Sequence, residues 1–173
     1  MEVDHQQENF EGNPEDLKAF LELAKSPIRS EARSEALDAW RQYKQQKLAE
    51  RWPAVSEEHF GKRPPVSEYQ SNVMPAFGPF MKGWSMVAMQ KHLIDLSGIN
   101  LDGLCLGYVD LRGVKLDSAS LRGAWLKGAE VEWASLKEAD FSMLESEGMA
   151  RASRLIQCDF SNTDMEGCNL SNA

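Results

Sequence analysis

The stretch that decides the fold is residues 94–141, which reads IDLSG INLDG LCLGY VDLRG VKLDS ASLRG AWLKG AEVEW ASLKE ADF when it is divided into fives. The third place of every five is a large apolar residue. The first place is apolar as well, and changes from Ile, Leu or Val to Ala at Ala119. A helix needs apolar residues about every 3.6 positions and a simple strand every second one, so neither explains this period. The period predicts a solenoid, in which each unit buries its apolar side chains on its neighbours.

These units resemble the pentapeptide-repeat family, whose pattern is of the A(D/N)LxG type. The resemblance rests on ADF at 139–141, VDL at 109–111 and INL at 99–101, together with glycines in the fifth place. Those glycines are Gly98, Gly103, Gly113, Gly123 and Gly128. The resemblance implies that four fives form one coil of a right-handed, four-sided β-helix. The fold class is then α+β, with an N-terminal helical region followed by the solenoid.

Four fives per coil would place residues twenty apart directly above one another, and the charges test this register. This register places most charged residues above a residue of opposite charge, and such pairs are favourable between neighbouring strands. Asp110 below Glu130 is the like-charged exception. Each exposed pair contributes less than about 1 kcal/mol, so the pairs indicate register rather than stability. The predicted opposite pairs are Asp102 with Arg122, Asp117 with Lys137, Arg112 with Glu132 and Asp95 with Lys115.

The sequence divides into four segments. We predict a disordered tail over residues 1–12, a helical domain over 13–72, an apolar lid over 73–93 and the β-helix over 94–173. The lid is predicted because an open solenoid end exposes apolar side chains and unpaired strand edges. A Met-rich groove for a partner is the alternative for the same residues.

Two helices are predicted in the helical domain. The first has Asn13 as its N-cap and Pro14 in its first turn, and it ends near Ser26. The second has Ser30 as its cap and ends near Arg51, before a Trp-Pro pair. Trp40 and Tyr43 of the second helix are expected to pack against the first, and Asp38 to pair with Arg41 on the surface.

An insertion is predicted at residues 142–154. Phe141 and Leu155 are fourteen residues apart, which is not a multiple of five, whereas the core residues after Leu155 are again spaced by five. The chain must therefore leave the coil, as a loop or as a short helix. Loops that project from rigid scaffolds often carry function, although a tolerated bulge explains the same spacing.

Composition restricts the kind of partner and the compartment. The chain of 173 residues has a net charge of −8 and no basic stripe, so direct nucleic-acid binding is not expected. It has no apolar run long enough for a membrane span, and no signal peptide opens it. We expect a cytoplasmic protein, or one delivered by a secretion system without a cleaved signal peptide. Three cysteines without a CxxC motif favour a reduced compartment, with Cys158 and Cys168 in small inward places.

Outward aromatic residues and the charges of the insertion are the candidate partner-binding residues. Large aromatic side chains on a rigid surface are typical of interaction patches. The alternative for the aromatic residues is that their rings lie flat over glycines one coil away. The candidates are Tyr108, Trp125, Trp133, Glu145, Glu147, Arg151 and Arg154.

No motif for catalysis or phosphate binding occurs, so we predict that the chain is not an enzyme and needs no cofactor or metal. The leading hypothesis is a protein-interaction scaffold, as the N-terminal module of a longer, bacterial effector-like protein. A second hypothesis is the targeting region of an enzyme whose catalytic domain lies beyond Ala173. The last coil lacks a predicted cap, so an end-to-end homodimer through it is a further expectation.

A third hypothesis is a duplex mimic that acts on gyrase, a type II topoisomerase, as some members of the family do. About four coils at ~4.8 Å each span ~19 Å. B-DNA presents roughly eleven charges over that length. Residues 91–173 carry 13 acidic and eight basic residues, which is a much lower density of negative charge.

Overall fold

A computed structural model describes residues 9–27, 30–60, 94–146, 148–158, 160 and 163–173, and for residues 48, 49 and 51–60 it describes the helical backbone alone. Two helices precede a stack of short parallel strands and turns, and a hairpin interrupts the stack. Neither helix has the length and apolar character needed to cross a bilayer within the described residues. The elements are α1 (Pro14–Lys25), α2 (Glu31–Phe60), β1 (Ile94–Asp95), β2 (Val114–Lys115), β3 (Leu144–Ser146) and β4 (Met149–Arg151).

The solenoid repeats every twenty residues, so the predicted register of four fives per coil is confirmed. β1 pairs with β2 in parallel, with Ile94 opposite Val114. Leu106, Leu116 and Leu126 are buried in one continuous apolar core. The same separation recurs in the parallel bridges Asn100–Ser120, Cys105–Trp125, Asp110–Glu130, Lys115–Ser135 and Ser120–Asp140.

The fifth place of each unit lies at a corner where the backbone is left-handed. The five fifth-place glycines of the repeat pattern have φ between 64 and 70°. A residue with a Cβ pays roughly 1–2 kcal/mol in this conformation, which explains the preference for glycine. The non-glycine residues with positive φ are Tyr108, Ser118, Trp133, Glu138, Gln157 and Asn172.

The stacked charges follow the predicted register in part. Lys137 is predicted to pair with Asp117, but its Nζ atom lies 3.2 Å from a carboxylate oxygen of Asp164 in the next coil. The backbone N–H of Lys137 donates to the Asp117 carboxylate at 3.2 Å. The predicted pair of Asp117 with Lys137 therefore forms through the backbone N–H of Lys137 rather than between the two charged groups. The pairs confirmed as predicted are Arg122 with Asp102 at 2.5 Å and Lys115 with Asp95 at 3.5 Å.

The predicted pair of Arg112 with Glu132 is wrong. The Nη2 atom of Arg112 lies 3.0 Å from a carboxylate oxygen of Asp110 and 3.0 Å from one of Glu130. Arg112 therefore bridges the two like-charged residues that the register stacks. The reason is electrostatic, because a cation between two stacked carboxylates relieves a repulsion that the predicted pairing would have left.

Helix α1 begins and ends where the sequence predicts. The Asn13 side chain accepts hydrogen bonds from the N–H groups of Glu15 and Asp16 at 2.9 and 3.3 Å. The helix ends at Lys25, and the N–H of its C-cap, Ser26, donates to the third residue before it. The cap residue and the following proline thus set both ends of this helix.

Helix α2 has the predicted start but not the predicted end. The hydroxyl oxygen of Ser30 accepts a hydrogen bond from the Arg33 N–H at 3.1 Å. The helix then continues to Phe60, so the predicted end near Arg51 is wrong. Pro53 lacks one backbone donor and disfavours the helical turn before it, but neither effect forbids helix on both sides.

Aromatic residues join the two helices, as predicted. The rings of Phe20 and Trp40 meet edge to face with centroids 4.9 Å apart, and Trp40 stacks on Tyr43 at 5.9 Å. The predicted surface pair of Asp38 and Arg41 forms at 3.0 Å. Edge-to-face and offset-stacked arrangements are the preferred geometries of aromatic pairs.

The helices contact the edge of the first described coil, which begins at Ile94. The Asp95 carbonyl accepts a hydrogen bond from the Asn13 N–H at 2.8 Å, and the Asp95 N–H donates to the Asp16 carboxylate at 2.9 Å. Tyr43 of α2 donates its hydroxyl to the same carboxylate at 2.7 Å. One buried carboxylate therefore joins both helices to the solenoid edge.

Side chains of α2 satisfy two further carbonyls of the same edge. Arg33 donates to the Cys105 carbonyl at 2.8 Å. Trp40 and Lys44 donate to the Asp110 carbonyl at 2.7 and 3.0 Å. An exposed strand edge would otherwise leave these acceptors without protein partners.

The segment before α1 also contacts this edge. Glu11 and Gly12, which the sequence analysis places in a tail over residues 1–12, donate their N–H groups to the Ser97 carbonyl at 3.0 and 3.1 Å. The predicted lid over residues 73–93 lies outside the described residues and stays a prediction.

The insertion lengthens one coil by nine residues. Bridges across it join residues twenty-nine apart instead of twenty, as in Trp125–Arg154 and Asp140–Asn169. The extra residues form an antiparallel β3–β4 hairpin in which Leu144 pairs with Arg151. The expectation of a loop or a short helix is therefore wrong. Gly148, with φ of 76°, supplies the left-handed residue that a tight hairpin turn favours.

We expect Leu116→Ala to lower the free energy of unfolding by about 2–5 kcal/mol, because it opens a cavity in a middle coil. Leu170→Ala is the matched control, since Leu170 holds the same inward place in the last coil but is 47% exposed. Urea unfolding followed by circular dichroism measures both. Equal losses for the two variants would contradict an interior shared by all coils.

Candidate functional site

The candidate aromatic residues Tyr108 and Trp125 lie on one strip of the solenoid. We define the Trp125 strip as residues 105–108, 125–128 and 154–157, which are stacked in three successive coils. Trp125 pairs with Cys105 below it and with Arg154 above it. The strip therefore brings together three of the candidate residues.

Tyr108 both packs on the solenoid and projects from it. A Cβ built on Gly128 would lie 2.8 Å from two atoms of the Tyr108 ring, so the ring lies over that glycine. Tyr108 is nevertheless 58% exposed. The ring of Tyr108 therefore packs over a glycine, as one of the two alternatives from the sequence has it, and is also exposed at the surface; its role in partner binding stays a prediction.

Trp133 lies apart from the strip. It occupies a corner with φ of 62° at the end of the next unit, whereas Trp125 lies within a paired position. Both indole side chains are half-buried. Their assignment to partner binding stays a prediction.

The charged candidates of the insertion separate in the structure. Glu145 is exposed on β3, and Glu147 lies outside the described residues. Arg151 on β4 folds back and donates to the Gly103 carbonyl at 3.1 Å. Arg154 has already rejoined the coil, because its N–H donates to the Ala124 carbonyl at 2.8 Å.

Stacked glycines explain why the hairpin lies against the coils. Gly103 and Gly123 are twenty residues apart and leave a shallow groove without Cβ atoms. A Cβ on Gly123 would lie 2.7 Å from the Leu144 Cβ and 3.0 Å from the Arg151 carbonyl oxygen. The sequence pattern identifies these glycines as fifth-place residues of the repeat, but it did not predict the groove. Their spacing, one coil apart and next to the insertion, is the signal that could have predicted it.

A buried charge network at the join between α2 and the solenoid was also missed. The Lys44 Nζ atom lies 2.6 Å from the Asp110 carboxylate, and both side chains are almost wholly buried. Lys44 follows Trp40 by four residues and therefore lies on the same, inward face of α2. A lysine on the apolar face of a helix was the available signal.

The network keeps both groups charged near neutral pH. Burial lowers the pKa of Lys44 to about 8, against the opposing effect of Asp110. Burial by itself would raise the pKa of Asp110, but hydrogen bonds from Arg112 and the charge of Lys44 outweigh it and lower that pKa to about 2. Removing one partner of such a buried pair leaves the other charge uncompensated, so the pair couples α2 to the coil at Asp110.

The inward cysteines have the packing role predicted for them. Burial raises the pKa of the Cys158 and Cys168 thiols, which makes them poor nucleophiles. The Cys158 thiol donates to the Leu126 carbonyl at 2.8 Å. Ser153 and Thr163, in equivalent small places, donate to carbonyls of the coil below in the same way.

A stack of hydrogen-bonded coils with a five-residue period defines a repeat protein of the solenoid class. The family model for pentapeptide repeats matches residues 94–130, 115–143 and 151–173, in eight copies. The C-terminal half of the chain is thus a pentapeptide-repeat region, preceded by two helices, as the resemblance implied. A comparison with curated protein sequences finds no significant match.

Solved structures of pentapeptide repeat proteins are similar to part of the chain. HetL, involved in heterocyst differentiation regulation in the cyanobacterium Nostoc, is 31% identical over 46% of this chain and 37% of its own, with a TM-score of 0.20. Rfr23 from the cyanobacterium Cyanothece is 25% identical over 43% of this chain and 52% of its own, with a TM-score of 0.20. A protein of the Arabidopsis thaliana thylakoid lumen is 24% identical over 51% of this chain and 62% of its own, with a TM-score of 0.21. This chain therefore covers less than two thirds of each of them.

We expect Gly123→Ala to destabilise the protein by about 1–3 kcal/mol more than Gly148→Ala, because overpacking adds to the backbone strain. Both glycines have positive φ, but a Cβ on Gly148 meets no atom within 4 Å. Gly148→Ala therefore controls for the strain alone. Urea unfolding and hydrogen exchange in β3 and β4 measure the difference. Similar values for the two variants would contradict close packing of the hairpin on Gly123.

We expect Asp110→Asn to cost the protein more stability at pH 6 than at pH 2. The lowered pKa of Asp110 gives a contribution that is complete above about pH 4 and is lost as the pH falls towards 2, on the order of 2 kcal/mol in total. Urea titrations of both proteins from pH 6 to pH 2 measure the difference. Leu121→Ala, a buried and uncharged control, should show a constant loss, and a constant loss for Asp110→Asn would contradict the assignment.

Proposed function

We propose that this chain is a non-catalytic protein-interaction scaffold. The observation that carries the proposal is the combination of a rigid stack with exposed features on its outside. Tyr108 is 58% exposed next to the half-buried Trp125, and the hairpin presents Met149 at 69% exposure. Aromatic residues on a rigid support are typical of binding hot spots, because little conformational entropy is lost when they are covered.

The finer features belong to the same proposal. The coil is right-handed and four-sided, as in the family that the repeats match. The chain acts as an N-terminal module of a longer, bacterial effector-like protein. An end-to-end homodimer through the last described coil is supported by the exposure of its inward Leu170.

Duplex mimicry has weaker support. A mimic needs a dense and continuous row of negative charges on its surface. Here Asp102, Asp95 and Glu130 are each paired with a cation of a neighbouring place. These ion pairs break up the negative surface that a gyrase-directed mimic would present.

We expect the double variant Trp125→Ala/Trp133→Ala to lose protein partners that the wild-type chain retains, by about tenfold or more if both indoles are hot spots. The measurement is quantitative capture from a lysate of the cells that naturally express the chain, with identification by mass spectrometry. Glu22→Ala, an exposed change on α1, is the control and should retain every partner. The scaffold function is refuted if wild-type protein retains no partner. Unchanged capture by the double variant would instead remove the two indoles from the site.

A further inference from the structure

The Trp125 strip differs from the rest of the solenoid in its charge. The three fives that contain it, at residues 104–108, 124–128 and 153–157, read LCLGY, AWLKG and SRLIQ and have no carboxylate. Each of the other three stacks of fives contains at least two acidic residues. A surface without carboxylates is unexpected in a chain with a net charge of −8.

The two cations of this strip are also without ion pairs. Lys127 and Arg154 make none within the described part of the chain, whereas the other basic residues of the coils are engaged. The engaged residues are Arg112, Lys115, Arg122 and Lys137, which make ion pairs, and Arg151, which donates to a carbonyl.

Apolar surface accompanies these cations. Tyr108 and Ile156 are 58% and 52% exposed, and Trp125 is half-buried between the coils of Cys105 and Arg154. The adjacent carboxylate of Glu130 does not neutralise the strip, because it is held by Arg112 at 3.0 Å. The strip thus combines two free positive charges with exposed aromatic and aliphatic side chains.

We propose that the Trp125 strip binds an acidic protein segment that carries aromatic or aliphatic side chains. The inference rests on the scaffold function proposed above and gives that scaffold a face and a partner chemistry. Two cations in an acidic chain are too few for a nucleic acid, which presents a charge about every 1.7 Å of duplex. An acidic peptide needs few cations, and its apolar side chains cover the exposed rings.

The test uses the full chain and a fluorescently labelled random copolymer of glutamate and tyrosine in a 4:1 ratio. Binding is measured by fluorescence anisotropy at low and at moderate salt. We expect Lys127→Glu and Arg154→Glu to weaken binding about tenfold each, and added salt to weaken binding by the wild-type chain. Lys18→Glu is the matched control, because it makes the same change of charge at an exposed position on α1.

The apolar part is tested with Tyr108→Asn, since asparagine tolerates the left-handed backbone at this position better than most residues do. This variant should also weaken binding, and a glutamate homopolymer should bind less tightly than the copolymer. Circular dichroism confirms that each variant keeps the wild-type fold before binding is measured.

Three results of the binding assay would overturn the inference, and one result of the capture experiment would do so as well. The first is no binding of the copolymer by wild-type protein, and the second is equal weakening by Lys127→Glu and Lys18→Glu. The third is tighter binding of a single-stranded oligonucleotide than of the copolymer. Failure of the scaffold function itself is distinguishable, because it appears as the absence of any captured protein partner. Capture that Lys127→Glu leaves unchanged refutes this face while the scaffold function stands.

Discussion

Hydrogen bonding between successive coils is the constraint on which the rest of this molecule depends. Each coil donates N–H groups of its inward residues to the next coil, as Leu106 does to Trp125 at 2.7 Å and Leu116 to Ser135 at 2.7 Å. A single coil can neither satisfy these groups nor bury its leucines alone. Stability therefore arises from contacts between neighbouring coils, and a coil with a neighbour on one side alone is held less firmly.

The first described coil shows how helices can satisfy the edge of the stack. Buried polar backbone groups need partners, and side chains of the helices supply them where a strand would otherwise pair. Asp16, Arg33, Trp40 and Lys44 each bond directly to backbone groups of this edge. The helical region is therefore a cap that matches the edge group by group, which accounts for its polar residues at buried positions.

The sequence predicts what depends on spacing and misses what depends on three-dimensional neighbours. The five-residue period was sufficient for the register and the buried leucines, because both follow from the spacing of residues along the chain. The bridging of Asp110 and Glu130 by Arg112 could not be predicted from the period, because it depends on distances between side chains of neighbouring coils. The hairpin packing on Gly103 and Gly123 is non-local in the same way. The continuation of α2 through Pro53 shows that a local preference is outweighed when the rest of a long helix is stable.

The position of the hairpin has a consequence for how the surface of such a protein can diversify. The coil resumes after the nine additional residues with its vertical pairing intact, as the Trp125–Arg154 and Asp140–Asn169 bridges show. The stack requires only that the two ends of the insertion lie close together, so that the coil can continue. The length of the insertion and its outward side chains are not constrained by the interior of the solenoid. This edge is therefore a place where evolution or an engineer can exchange a projecting element while the buried framework remains the same.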